Sequence, residues 1–183
     1  MSFAFRILDV PMEYTGLELK SGWVASATGL AGDAAAGFIG PCHVPNEHLV
    51  DLDDARAGFF IRAASMAHVI VEHPGCPLAQ AVLRQRLLVC ILADVISVRR
   101  LRRDGDDLYY EGRKLTVSIA APARGASLIH LGINVDPAGA PVPAVGLAEM
   151  KIDPATLLGE LLERYTGELA TMAHAEKKVR TVS

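Results

Sequence analysis

Cysteine is scarce in this chain: three residues, Cys42, Cys76 and Cys90, among 183. So small and odd a set argues against a disulfide framework and fits free thiols in a reducing compartment. Long apolar runs are missing too. A helix needs about 20 mostly apolar residues to cross a bilayer, no stretch here has that character, and no membrane partner is expected. Positive charge is not in excess: 18 Lys and Arg against 21 Asp and Glu give a net charge of -3. A nucleic-acid-binding domain shows a basic footprint first, so nucleic acid is not an expected partner. The opening MSFAFRILDV sets Arg6 and Asp9 among its apolar residues and offers no small-residue cleavage site. No secretory signal is read from it, and the cytoplasm is the expected compartment. Repeats and low-complexity linkers are also absent, which predicts a single domain over residues 1–183.

The residues that are present describe a chain able to fold alone. Hydrophobic residues make up 51% and charged residues 21%, an ordinary globular balance at a length that buries a core without metal or disulfide. Strands are predicted at 3–8, 17–27 and 34–39, separated by Gly16, Gly29 and Gly32. In MAHVIVE, 66–72, Ala67, Val69 and Val71 alternate with His68, Ile70 and Glu72, which predicts another strand. Pro77 then opens a stretch in which Leu78, Val82, Leu88 or Val89, Leu92 and Val95 recur at helical spacing. Three strands follow, at 98–102, at 108–120 with a turn at Glu111-Gly112, and at 127–135. Their connections RDGD and PARG are of hairpin length and carry glycine, so an antiparallel meander is expected. DPAGAPVPAVG, 136–146, reads as a long surface loop. Asp153 is placed to cap a last helix with Pro154 first and Leu157, Leu158, Leu161, Leu162, Tyr165, Leu169 and Met172 on its apolar side. Blocks of strands followed by helices predict an α+β domain, a mostly antiparallel sheet with helices packed on one face.

Two stretches carry candidate chemistry. In DDLYYEGRKLTVSIA, 106–120, Leu115, Val117 and Ile119 are expected on one strand face and Lys114, Thr116 and Ser118 on the other. In SLIHLGINV, 127–135, Ile129, Leu131, Ile133 and Val135 oppose Leu128, His130, Gly132 and Asn134. If the strands are neighbours, Lys114, Thr116, Ser118, His130 and Asn134 form one polar floor. Gly132, with no side chain, then leaves room for a ligand to approach the backbone. His68 and Glu72 would stand about 13 Å apart on their strand, too far to grip one ion but suited to opposite ends of a ligand.

Each candidate also has a plainer reading. Lys114 follows Gly112 and Arg113 at a turn, where a solvated lysine is ordinary. His130 and Asn134 could be hydrogen-bonded residues on the open face of an antiparallel sheet. Cys42, His43, His73 and Cys76 are all zinc-ligand types, yet they lack Cys-x-x-Cys spacing and an ordinary Pro74-Gly75 turn separates the second pair; no metal centre is assigned. Cys42 beside His43 can be read as a reactive thiol, and Cys90 as core. RRLRRDG, with Arg99, Arg100, Arg102 and Arg103, is the one basic cluster. It suits an edge strand whose charges resist aggregation, with phosphate contact as the alternative. The pattern leaves the oligomeric state open, a homodimer included.

The order of a helix, DDLYYEGRKLTVSIA and HLGINV, from Leu78 to Val135, resembles the central part of the catalytic domain of biotin-protein ligases and their lipoate-protein ligase relatives. More specifically, SGW, GPCHV, HVIVE, GDDLYYEGRKLTVSIA and HLGINV identify the chain as a member of the largely archaeal family catalogued as domain of unknown function 366, whose fold is similar to that ligase domain. The resemblance implies an enzyme of the ligase or acyl- or nucleotidyl-transferase type acting on a small carboxylate, with ATP and Mg2+ as implied cofactors. The alternative is a non-catalytic small-molecule-binding module on the same scaffold. Lys114 occupies the place of the ligases' essential lysine, between the substrate carboxylate and the ATP α-phosphate, where a fixed ammonium relieves the repulsion of two anions. Asp107 matches the acid of their Asn-Asp pair, beside the nucleotide or its magnesium, and Asn134 matches the asparagine of their Gly-Ile-Asn-Val strand. Asp106 stands where they have asparagine. Their Gly-Arg-Gly-Arg loop and Arg-Arg-x-Ser-Gly-Gly-Gly run are missing, and GLAGDAAAGFIG, with Gly29, Gly32, Gly37 and Gly40, has no basic residue.

Overall fold

The computed structural model describes residues 3–182. In chain order the elements are β1 (Ala4–Ile7), α1 (Trp23–Thr28), β2 (Ala34–Val44), α2 (Leu52–Arg56), β3 (Ile61–Pro74), α3 (Leu78–Ile96), β4 (Leu101–Asp104), β5 (Asp107–Tyr110), β6 (Arg113–Lys114), β7 (Thr116–Ala123), β8 (Ala126–Asp136), α4 (Leu147–Met150) and α5 (Pro154–Lys177). The main sheet runs β1-β2-β3-β8-β7, parallel at β1 and β2 and antiparallel elsewhere, and β4-β5-β6 form a separate small sheet. This is the mixed α+β architecture that the blocks of strand and helix predict.

Alternation along β3 and β8 decides what covers each face. Val69, Val71, Ile129, Leu131 and Ile133 pack under α3 and α5, against Leu88, Leu92, Leu158, Leu161, Leu162 and Tyr165. The opposite face holds Phe38, Met66 and Ile70 beneath Tyr14 and Val24. Helix α5 starts where the sequence places it, because the Asp153 carboxylate accepts the Thr156 N–H at 2.8 Å and satisfies a first-turn donor. The strand predicted at 17–27 is instead a turn followed by α1. Gly22 (φ 81°) and Gly29 (φ 73°) bracket that helix in left-handed conformations, and Val24 and Thr28, four residues apart, are its buried side; the small residues there mimic a strand pattern.

The predicted meander divides between the two sheets, and Leu115 is where it divides. Its N–H donates to the Leu108 carbonyl in the small sheet at 2.8 Å, while its own carbonyl accepts the Asn134 N–H in the main sheet at 2.9 Å. Alternation breaks there. Thr116 pairs with Ile133 and Ser118 with Leu131, on the helix-covered face, whereas Val117 pairs with Gly132 and Ile119 with His130, on the other. The expected faces of β7 are therefore exchanged beyond Leu115, since one irregular residue moves every later side chain across the sheet.

Candidate functional site

A cleft of about 370 Å³ opens on the face away from α3 and α5. Several segments make it. Beneath it are His130 and Asn134 of β8 and Val117 of β7; Lys114 and Asp107 come from the small sheet; Asp51, Asp54, Phe59, Phe60 and Arg62 come from the chain around α2 and the start of β3. The segment 136–146, read as a surface loop, is a wall of the cleft. The Lys114 N–H donates to the Pro143 carbonyl and the Val145 N–H to the Lys114 carbonyl, both at 3.0 Å, which lays Pro141, Val142 and Ala144 along one side.

Lys114 is half-buried and ion-paired: its Nζ lies 2.7 Å from Asp107 Oδ2. Burial pulls the ammonium pKa down, but the hydrogen bond and charge of Asp107, with Tyr109 and Asp54, outweigh it and hold Lys114 above its ordinary range. Burial pushes the Asp107 carboxyl up despite Lys114, and Asp106 and Asp54 push it further. Asp106 is tied down by Gln85 Nε2 at 2.8 Å and Arg86 Nη1 at 3.2 Å. The lining thus sets four carboxylates, Asp51, Asp54, Asp106 and Asp107, against Lys114 and Arg62. Its apolar part, Leu19, Val44, Leu49, Phe59, Phe60 and Ile61, ends in two phenylalanines that remain 51% and 42% exposed.

The floor is a stack of rings. Tyr14 lies on His130 with centroids 3.8 Å apart and planes 13° from parallel, and Phe38 stacks on His68 at 4.8 Å. His68 Nδ1 and His130 Nε2 share a hydrogen bond of 3.2 Å. Burial drives His68 down to about 3, and burial with the neighbouring His68 lowers His130 well below the usual histidine value; both imidazoles are neutral. Tyr14 arrives because the chain at 12–14 crosses beside β2, its N–H bonding the Pro41 carbonyl and its carbonyl the His43 N–H, both at 2.9 Å.

Of the residues singled out from sequence, Lys114, Asp107, Ser118, His130 and Asn134 line the cleft. Asn134 works by positioning, its side-chain amide donating to the Lys114 carbonyl at 3.2 Å. Ser118 is held on the far side by Gln85 Nε2 at 2.8 Å. The others fall elsewhere. Thr116 is buried and accepts the Leu108 N–H at 2.8 Å. His68 lies under His130 and is fully buried. The space beside Gly132 is taken, for a Cβ there would meet Met66 Cε at 2.8 Å, so that glycine serves packing rather than ligand access. Glu72 faces α1, where its Oε1 accepts the Gly22 N–H at 2.8 Å. Cys42 pairs opposite Ala63 and His73 opposite Ser127, at far ends of β3, so the four Cys and His residues do not converge. Among the described residues no three His, Cys, Asp or Glu gather as metal ligands. Burial pushes the Cys42 thiol up to about 12, opposite to what a reactive thiol needs. Of the arginines of RRLRRDG, Arg99 and Arg100 lie in the turn before edge strand β4, and Arg102 and Arg103 lie on it, where Arg102 pairs with Asp104 at 3.1 Å. Sequence reasoning passed over Tyr14, Asp51, Asp54, Phe59, Phe60 and Arg62; the one available signal was DLDD, a capped turn, leading into an unburied Phe-Phe pair.

The fold is the one shared by biotin and lipoate ligase domains. Residues 3–180 match the family described as domain of unknown function 366, and the chain belongs to it. It is 35% identical over 167 residues to an uncharacterised protein of Methanocaldococcus jannaschii, covering 86% of this chain and 76% of that one. It superposes on a protein of unknown function from Pyrococcus horikoshi with a TM-score of 0.94 and 32% identity over 100% of both chains. The catalytic domains of biotin and lipoate ligases share the fold. The biotin protein ligase of Aquifex aeolicus in complex with biotin and ATP matches with a TM-score of 0.55 and 13% identity over 92% of this chain and 70% of that one. No helix among the described residues is long and apolar enough to cross a membrane.

Proposed function

We propose that the protein is an enzyme of the ligase or acyl- or nucleotidyl-transferase type whose cleft binds a small carboxylate. The observation that supports it is the Lys114 ammonium, paired with Asp107 at 2.7 Å, at the polar end of a cleft whose other walls include Leu49, Phe59, Phe60 and Ile61. An ammonium has three N–H donors, so Lys114 can keep Asp107 and still take a ligand carboxylate, while the body of the ligand covers the apolar wall. At that place the fixed charge stabilises negative charge developing as the carboxyl group is transferred. In Lys114→Ala, carboxylate binding and turnover are expected to be lost while the melting temperature holds. Undiminished binding in that variant would sink the proposal.

ATP with Mg2+ is the activating co-substrate this reading takes from the ligase fold. Magnesium takes one or two carboxylates from a protein when phosphates complete its shell, and Asp107 is the carboxylate best placed to serve. The glycine-rich stretch, however, has no basic residue to hold a phosphate, and two of its four glycines are spent inside β2, where a Cβ at Gly37 would meet Leu162 Cδ1 at 3.1 Å and one at Gly40 the Met12 carbonyl oxygen at 2.0 Å. That observation, with four carboxylates in the lining that repel a triphosphate, favours a second reading, a binding module without adenylate chemistry. Titration calorimetry with ATP and Mg2+ discriminates: a saturable heat is expected for the enzyme, and its absence leaves the module.

A further inference from the structure

Lys114 and Asp107 occupy one end of the cleft; the paired imidazoles of its floor are a separate feature. Two neutral imidazoles joined by the 3.2 Å contact of His68 Nδ1 and His130 Nε2 have one proton between them, and the surroundings choose its owner. His68 Nε2 is buried without a hydrogen-bond partner; the backbone of Gly40 and Pro41 accepts toward the His68 ring, and with Nδ1 engaged by His130, Nε2 is the nitrogen left to face it. A lone pair on that nitrogen would face carbonyl oxygens, whereas an N–H there meets them favourably. Nε2 of His68 therefore carries its hydrogen, Nδ1 accepts, and the proton in the pair belongs to His130 Nε2. Nδ1 of His130 is left with a lone pair. Among the described residues nothing is seen to bond that atom, and it is not one of the buried polar atoms lacking a partner; His130 lines the cleft with 2% of its surface exposed, and with Nε2 turned to His68, Nδ1 is the ring nitrogen left for the cleft. Tyr14, stacked at 3.8 Å, fixes the plane in which it points.

We propose that His130 is a ligand-binding residue whose Nδ1, kept unprotonated by His68, accepts a hydrogen bond from the ligand, so that the preferred carboxylate carries an N–H donor along its body. This rests on the carboxylate reading above and adds the chemistry of the rest of the molecule. Asp51 and Asp54, also in the lining, accept hydrogen bonds when ionised, so the cleft beyond Lys114 is rich in acceptors. A plain acyl chain laid over His130 strips water from Nδ1 and returns nothing, the asymmetry by which a site built to hydrogen-bond rejects analogues that cannot.

The test uses the full chain and matched probes: ω-acetamidoalkanoates of increasing chain length, and analogues in which a methylene replaces the amide N–H. Wild type is expected to bind the N–H member of the best-fitting pair about tenfold more tightly, the worth of one well-made hydrogen bond. His130→Phe, which keeps a ring under Tyr14, is expected to bind both members alike. His130→Gln is expected to restore the preference, since its amide can donate to His68 and accept from the ligand. Carboxylates that bind wild type with no preference, or a preference surviving in His130→Phe, overturn the proposal and leave the carboxylate reading standing. If no carboxylate binds wild type, both fall together. Should the phenylalanine variant not fold, nitrogen NMR of histidine-labelled wild type decides, for a protonated His130 Nδ1 contradicts the tautomer on which the selection depends.

Discussion

Lys114 keeps its charge because Asp107 is beside it. Burial alone lowers the ammonium pKa, and the carboxylate at 2.7 Å is the largest influence raising it. Asp107→Asn keeps the shape and removes that influence, so the Lys114 pKa is expected to fall, with the amine becoming more reactive toward acylating reagents as pH approaches neutrality. A lysine NMR titration reads this directly, and an unshifted Lys114 would mean that the pair is not formed in solution. At this scale the sequence was informative where chemistry is local. Lys114, His130 and Asn134 were singled out because a polar residue on a strand in an apolar chain is a visible exception, Asp107 was named only through the ligase resemblance, and all four line the cleft. Glu72 and Thr116 were placed wrongly because their partners, Gly22 and Leu108, are brought to them by the fold.

Between elements, the reach of the sequence stops at single irregular residues. The ends of β8, α3 and α5 were legible from periodicity, proline and a capping aspartate, all signals carried within one element. The exchange of faces along β7 was not, because Leu115 divides its two backbone hydrogen bonds between two sheets and nothing in its side chain announces that. Gly40 is a second case. It was read as part of a glycine-rich stretch, and its use is close approach: an added Cβ would lie 2.0 Å from the Met12 oxygen and 2.7 Å from the Met12 carbonyl carbon. Backbone cannot step aside as a rotamer does, so Gly40→Ala is expected to cost about 1–3 kcal/mol. It is also expected to dislodge Tyr14, two residues along the same crossing segment. Denaturant midpoints measure the first effect and the loss of the Tyr14 ring-current shift on His130 the second; wild-type values for both would place the segment elsewhere.

Over the whole molecule, the histidines beneath the cleft couple its construction to pH. An unfolded histidine titrates near 6.5, while in the folded chain burial lowers His68 to about 3 and His130 well below the unfolded value. His73 is lowered too, chiefly by burial and against the pull of Asp33, whose Oδ1 is 2.9 Å from its Nδ1. As pH falls through 6.5 the unfolded chain gains protons that these three sites refuse in the native state, so stability is complete above that value and declines below it. Each site contributes up to about 1.4 kcal/mol per pH unit. Asp107 works in the opposite sense, because its folded carboxyl is raised above the unfolded value of 3.8 and favours the native state at lower pH. The decline should therefore be measured between pH 7 and pH 5, nearer the histidine range, by urea unfolding at successive pH values. His130→Gln removes one of the three sites while keeping a hydrogen-bond partner for His68, and its slope is expected to be shallower than that of wild type by close to one proton. Equal slopes in the two proteins would mean that His130 is already charged in the folded state, and a charged His130 has no lone pair to offer a ligand.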